Sequence, residues 1–276
     1  AAYMAQHILE KEGITIPFIT TLHGTDITLV GKDVSFEPVI TFAINESNAV
    51  TAVSESLKQD TYKHFKITRD IHVIPNFVCL DHYDRIGNVD ELRKSFSPNN
   101  EKVMVHTSNF REVKRVQDVI KVFDSVRKQI PTTLILVGDG PERHKMEELC
   151  RELHACDTIK FLGKVRDTER ILAASDIFIL PSESESFGLA ALEAMAAKVP
   201  VISTNTGGLP EVNIHGVSGY LSNVGDVDDM ARNALSILGN ETTLAQFKKG
   251  AYQQAQQFDI HKILPMYEEL YQGLMK

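Results

Sequence analysis

Residues 132–163 read TTLILVGDGPERHKMEELCRELHACDTIKFLG. The apolar run TTLILVG is stopped by a glycine, ERHKMEELCRELH has helical character, and TIKFLG is strand-like again. Strand, turn, helix and strand in this order predict a parallel sheet flanked by helices. The pattern extends both ways. Upstream, KVMVHTS (102–108) precedes the helical RVQDVIKVFDSVRKQ (115–129). Downstream, TERILAAS (168–175) leads into the strand DIFILPS (176–182), a glutamate-flanked helix, the strand PVISTN (200–205) and a turn at TGGLPE (206–211). About five strands, each followed by a helix, predict a doubly wound α/β domain over 101–255, whose ligands bind beyond the carboxyl ends of the strands.

The first part of the chain alternates in the same way. AAYMAQHILEKEG reads as an amphipathic helix already under way, with no initiating Met, so residues 1–76 are expected to be an incomplete Rossmann-like domain. Its segments are IPFITTLHG, the helical FEPVITFAINES, AVTAVS, the helical SLKQDTYKHF and IHVIPNF. The pattern weakens over 77–100, ending in SFSPNN, which is read as a connection. Residues 256–276 include a helix, DIHKILPMYEELYQGLMK, expected to pack back toward the first domain.

Bulk properties narrow the function. The chain has 276 residues, enough for two compact domains, and is 43% hydrophobic and 24% charged, as in ordinary globular proteins. A net charge of −8 argues against an extended nucleic-acid face. No apolar run approaches the roughly 20 residues that cross a bilayer, so stable membrane insertion is not expected. Cys79, Cys150 and Cys156 form no CxxC pattern and suggest a reducing, cytoplasmic setting.

Several strand ends carry residues suited to chemistry. In LVGDGPE, Gly138 and Gly140 would let backbone approach a nucleotide, or simply form a tight turn; Arg143 in the third small position excludes the NAD fingerprint. SNFREVKRV places Asn109, Arg111, Lys114 and Arg115 between a strand and a helix, where cations would neutralise a departing diphosphate or merely be solvated. The DVDD run, 226–229, is read as helix capping rather than metal binding. His23 in HGTD ends an apolar strand, where a lone histidine is either structural or part of a site, and TGGLPE either offers two amides at a helix start to a phosphate or sugar or forms a simple turn. In SESESFGLAALE, 182–193, Glu185 and Glu193 are separated by seven residues. On one helix they would lie about 12 Å apart, too far for a carboxylate pair acting on one bond but suited to opposite ends of an elongated ligand.

Taken with LVGDGPE and FLGKV upstream, the run SESESFGLAALEAMAAKVPVISTNTGGLPE resembles the core of the retaining, nucleotide-sugar-dependent glycosyltransferases of family 4. The resemblance implies the GT-B fold, two Rossmann-like domains that close on the substrates and exclude water. TTLHGTDITLVGKD and SNFREVKRV look most like members that move N-acetylglucosamine from UDP-N-acetylglucosamine to L-malate in bacillithiol synthesis. By that resemblance Glu185 would bind donor-sugar hydroxyls, and Phe187, Gly188 and Leu189 would offer backbone amides to sugar and diphosphate. Glu193 would accept hydrogen bonds from the ribose diol, and Lys164 and Val165 would meet the uracil. Lys114 matches the family's phosphate-binding lysine. The usual arginine five residues earlier is Asn109 here, with Arg111 a replacement for its charge, and His23 matches a histidine near the reacting sugar. The catalytic set is then His23, Lys114 and Glu185, with Gly138 among the donor-binding residues. The implied mechanism is front-face displacement, needing no protein nucleophile, metal or cofactor beyond the donor. A family glycine-rich loop has no counterpart in the chain.

Three rival readings stand beside this one: the same family acting on a lipid or sugar acceptor, a GT-B-fold UDP-sugar epimerase, and a non-catalytic nucleotide-binding module. The partners expected for the leading reading are small-molecule substrates, a UDP-sugar and L-malate, with no nucleic acid, and a homo-oligomer is left open.

Overall fold

The computed structural model describes residues 1–24, 27 and 35–275. It divides into two compact units, residues 1–76 with 260–276, and residues 77–259. Thr25, Asp26 and residues 28–33 of the stretch TTLHGTDITLVGKD, together with Val34 and Lys276, lie outside the described residues.

In the first unit, helix α1 (Ala2–Lys11), strand β1 (Ile19–Leu22), α2 (Glu37–Asn45), β2 (Ala49–Ala52), α3 (Glu55–His64) and β3 (Ile71–Val73) follow the predicted alternation. The three strands form a parallel sheet in the order β1-β2-β3. β2 is the central strand and is buried along its whole length. Ser54 starts α3 by accepting a hydrogen bond from the Leu57 amide at 3.0 Å, which satisfies one of the amides a helix start leaves open.

The second unit begins with two short helices, α4 (Leu80–Asp84) and α5 (Asp90–Phe96). Residues 77–100, read from sequence as a connection, thus carry helices that belong to this unit. Each buries one apolar residue, Leu80 in α4 and Phe96 in α5, and Arg93 of α5 donates to the Ala174 carbonyl at 2.8 Å and to Asp176 at 2.7 Å.

Next come β4 (Lys102–Ser108), α6 (Val116–Arg127), β5 (Thr132–Gly138), α7 (Arg143–Glu152), β6 (Ile159–Gly163), α8 (Thr168–Ala173) and β7 (Ile177–Leu180). The series closes with α9 (Leu189–Ala196), β8 (Val201–Thr204), α10 (Leu209–Val212), β9 (Gly219–Ser222), α11 (Val227–Leu238) and α12 (Glu241–Ala255). After a short 3-10 turn, α13 (Ile260–Leu274) runs in the first unit. Asp226 caps α11 by accepting from the Asp229 amide at 3.0 Å, which accounts for the DVDD run.

The second sheet has six parallel strands in the order β6-β5-β4-β7-β8-β9. Five were expected. The sixth, β9, is four residues long and opens with Gly219, which lies so close to the Val201 carbonyl that a Cβ would sit 1.7 Å from its oxygen. Helix α6 buries Val116, Val119, Ile120, Val122, Phe123 and Val126 against the sheet, the stripe that its three- and four-residue spacing predicts. Strand order reverses between β4 and β7, so the crevice beyond the carboxyl ends of these strands is the topological switch point.

Candidate active site

A cavity of about 400 Å³ opens at that switch point. It is lined by Thr107 and Ser108 of β4, Val137 and Gly138 of β5, Lys164, Val165 and Thr168 after β6, and Leu189, Ala190 and Glu193 of α9. Five residues chosen from the sequence, Gly138, Lys164, Val165, Leu189 and Glu193, therefore line one cavity. Thr107, Ser108, Thr168 and Ala190 were not singled out from the sequence; their only signal was their position at a strand end or helix start. Gly138 has a left-handed φ of +121°, and a Cβ there would lie 1.8 Å from the Ser108 carbonyl oxygen. The glycines of GDG thus let the chain after β4 press against β5, a packing reason for residues first read as nucleotide contacts.

Glu185 is not on a helix. Helix α9 starts at Leu189, after Gly188 in a left-handed conformation with φ +96°, so Glu185 sits in the preceding loop. Its Oε1 accepts from Lys114 Nζ at 2.6 Å and from the buried Ser182 hydroxyl at 2.8 Å. The loop itself is clamped on both sides. The Glu183 amide donates to the Val113 carbonyl at 2.8 Å, and the Gly208 amide donates to the Glu185 carbonyl at 2.9 Å. Gly208 was expected to offer a free amide to a ligand; its N–H instead holds the Glu185 loop, and a Cβ on Gly207 would fall 1.9 Å from the same carbonyl oxygen. Lys114 and Glu185, predicted separately, are therefore one ion pair. Ser182 is a further residue that sequence reasoning did not single out.

Glu193 lies in the second turn of α9 and faces the cavity. Among the described residues its carboxylate makes no hydrogen bond or ion pair, while its backbone carbonyl accepts from the Ala197 amide at 3.1 Å. Burial, and then repulsion from Glu169, push its carboxyl above the ordinary glutamate range. The Tyr83 hydroxyl is also raised, chiefly by burial and then by Glu193 and Glu169, so it stays protonated. Glu169 itself has a partner in His82 at 3.4 Å. The acid facing the cavity is the one that protein groups leave unmatched.

The remaining predicted residues are dispersed. Asn109 and Arg111 are exposed on the loop after β4, next to the 3-10 turn that carries Lys114. Phe187 is buried, its ring packed edge-on to Phe258 at 5.6 Å, so only its backbone is free to serve a ligand. His23 is an exposed residue directly after β1 in the first unit. In the first turn of α9 the Ala191 amide turns back to the Gly188 carbonyl at 2.9 Å, which leaves the Leu189 and Ala190 amides without a partner inside the helix, as at any helix start. Among the described residues, no group of three or more His, Cys, Asp or Glu side chains is arranged to hold a metal. No described helix is long and apolar enough to cross a membrane.

Comparison with known proteins bears on these features. Residues 88–254 match the family model described as Glycosyl transferases group 1, and residues 2–82 match that described as Glycosyltransferase Family 4. The chain is 41% identical over 277 residues to N-acetyl-alpha-D-glucosaminyl L-malate synthase of Bacillus anthracis, covering 100% of this chain and 72% of that protein. It is 32% identical over 157 residues to 2-deoxystreptamine N-acetyl-D-glucosaminyltransferase of Niallia circulans, covering 54% of this chain and 40% of that protein. The crystal structure of Anabaena HepE in complex with UDP-glucose is similar with a TM-score of 0.87 at 23% identity, over 99% of this chain and 75% of that one.

Proposed function

The chain belongs to the glycosyl transferases group 1 family, and on that premise we propose that it moves N-acetylglucosamine from UDP-N-acetylglucosamine to L-malate in bacillithiol synthesis, with retention at the anomeric carbon. Its two parallel-sheet units have the GT-B architecture. The observation that carries the substrate reading is the 41% identity along the whole chain to a protein named for L-malate. The cavity is consistent with it: a volume of about 400 Å³ lies within the usual range for small-molecule sites.

In this reading the nucleoside half of the donor occupies the cavity. Lys164 and Val165 meet the base, and the half-buried Glu193 carboxylate accepts from the ribose diol, whose two hydroxyls supply donors that the protein does not. The α9 amides face the diphosphate, since a helix start favours negative charge. Lys114 leaves Glu185 far enough to share its charge with the diphosphate, where charge builds as UDP departs. Glu185, freed on one side and still held by Ser182, accepts from sugar hydroxyls. The departing phosphate oxygen takes the acceptor proton, so no protein nucleophile is used. His23 is kept as a proposed catalytic residue on the resemblance of its motif alone.

The match to a 2-deoxystreptamine transferase keeps a second acceptor class, an aminocyclitol, in view. Incubating the chain with UDP-N-acetylglucosamine and a panel containing L-malate, other hydroxy acids and 2-deoxystreptamine, while following UDP release, separates them. Release that depends on L-malate is the expected result. Release with the aminocyclitol alone would replace the acceptor, and donor binding without release under any acceptor would remove the transfer reading.

A further inference from the structure

His106 is a fully buried titratable group that the reading above does not use. It lies on β4, its ring between those of Phe110 and Phe178 at centroid distances of 6.3 and 6.2 Å. Its Nδ1 is 2.8 Å from the Ile179 carbonyl oxygen, and its Nε2 is 2.8 Å from the Ser108 hydroxyl. A carbonyl only accepts, so Nδ1 carries the hydrogen and donates to Ile179. Burial pushes the imidazole down to about 4, so the ring is neutral near pH 7. Nε2 is then a bare acceptor, and the Ser108 hydroxyl must donate to it.

This fixes the chemistry of Ser108. Its one hydrogen is committed to His106, and its oxygen already accepts from the Phe110 amide at 3.2 Å. One lone pair remains, and Ser108 lines the same cavity as Glu193. An unconstrained serine would donate to a phosphate oxygen or accept from a hydroxyl with equal ease. Here donation to a ligand would strand a buried imidazole nitrogen without a partner.

We propose that Ser108 is a ligand-binding residue that accepts a hydrogen bond from an O–H or N–H group of the nucleoside half of the donor, and that His106 is the positioning residue that makes it an acceptor. The inference rests on the reading of the cavity as the nucleotide site. It adds a second acceptor beside Glu193, so the cavity selects a ligand end rich in donors and turns the phosphates toward the α9 amides.

A double-mutant cycle on UDP affinity tests this, measured by calorimetry on the full chain. Ser108→Ala should weaken UDP binding about tenfold. His106→Phe keeps a ring between Phe110 and Phe178 but releases the serine proton, and it should weaken binding to a similar degree. The double variant should bind no worse than Ser108→Ala, because His106 acts through Ser108 alone; a purely packing role for His106 would make the two losses multiply and would overturn its part. Unchanged or tighter binding by His106→Phe would show the hydroxyl serving a phosphate, and would overturn the proposal as well. Should His106→Phe fail to fold, Ser108→Ala still decides whether Ser108 binds ligand, and full UDP affinity in it would sink the claim. Absence of UDP binding by the unaltered chain would remove the nucleotide reading itself, whereas normal binding with unaffected variants would remove only this inference.

Discussion

Two buried or half-buried acids stand at opposite ends of β7 and are treated in opposite ways. Asp176, just before the strand, accepts from the Val103 amide at 2.9 Å and from Arg93 at 2.7 Å, with Lys248 at 3.3 Å. Burial works against its charge, but Lys248, Arg93 and the Val103 amide outweigh it and hold the carboxyl below the ordinary aspartate range. Glu193, in the helix that follows the same strand, has no such partner among the described residues, and burial and Glu169 raise it. One end of the sheet satisfies its charges and secures the fold. The other leaves an acceptor for a ligand to satisfy, which is the mark of a site rather than of a scaffold.

The contrast predicts a large effect at the first end. Asp176→Ala leaves Arg93 and Lys248 without their shared anion and the Val103 amide without its acceptor. Because both cations are partly exposed, solvent recovers some of the loss, and the expected cost is about 3 kcal/mol, below the upper end for breaking a buried pair. Urea unfolding measures it. Since the folded carboxyl is lowered, its contribution is present above the unfolded value of about 3.9 and fades as pH falls through the folded value. The gap between variant and parent should therefore narrow on acidification. A gap independent of pH would mean that packing, not charge, holds this end.

At the second end the expected effect is smaller and of opposite sign. Glu193→Gln removes a charge that the fold disfavours, so it should raise the unfolding midpoint at neutral pH. For an acid whose folded value is raised, the neutral form is the favoured one, and the cost of ionising it is absent below the unfolded value of about 4.3. The gain should vanish there. A lowered midpoint at neutral pH would show that Glu193 has a stabilising partner and would erase the contrast with Asp176.

Most of this architecture was legible because burial on both faces writes itself into the sequence. TTLILVG and KVMVHTS carry unbroken apolar centres, LILV and VMV, as strands covered by helices on both sides require. Strand β9 was not legible: four residues that include a glycine carry too little pattern, and Gly219 is there for its close approach to Val201. Helices α4 and α5 escaped because each is short and buries a single apolar residue, Leu80 or Phe96, which leaves no periodicity. In the site, Glu185 and Glu193 stood out through the context of ESFGLAALE, yet their distance estimated on a single helix does not apply, since Glu185 precedes the helix. The supports of Glu185 were hidden because Lys114 lies 71 positions away in the chain. His106 and Ser108 were hidden for the same reason, their geometry being set by Ile179, 73 positions from His106.

On the proposed reading, Glu193 and Glu185 grip one ligand at its two ends. Calorimetric titration of UDP into Glu193→Ala and Glu185→Ala, with transfer rates measured on the same samples, tests it directly. Glu193→Ala should weaken UDP binding by about tenfold or more, the worth of a charge-assisted hydrogen bond. Glu185→Ala should keep UDP affinity within about threefold of the parent and lose transfer by a larger factor, about 100-fold. Equal losses of UDP affinity in the two variants, or a greater loss in Glu185→Ala, would contradict the division of roles.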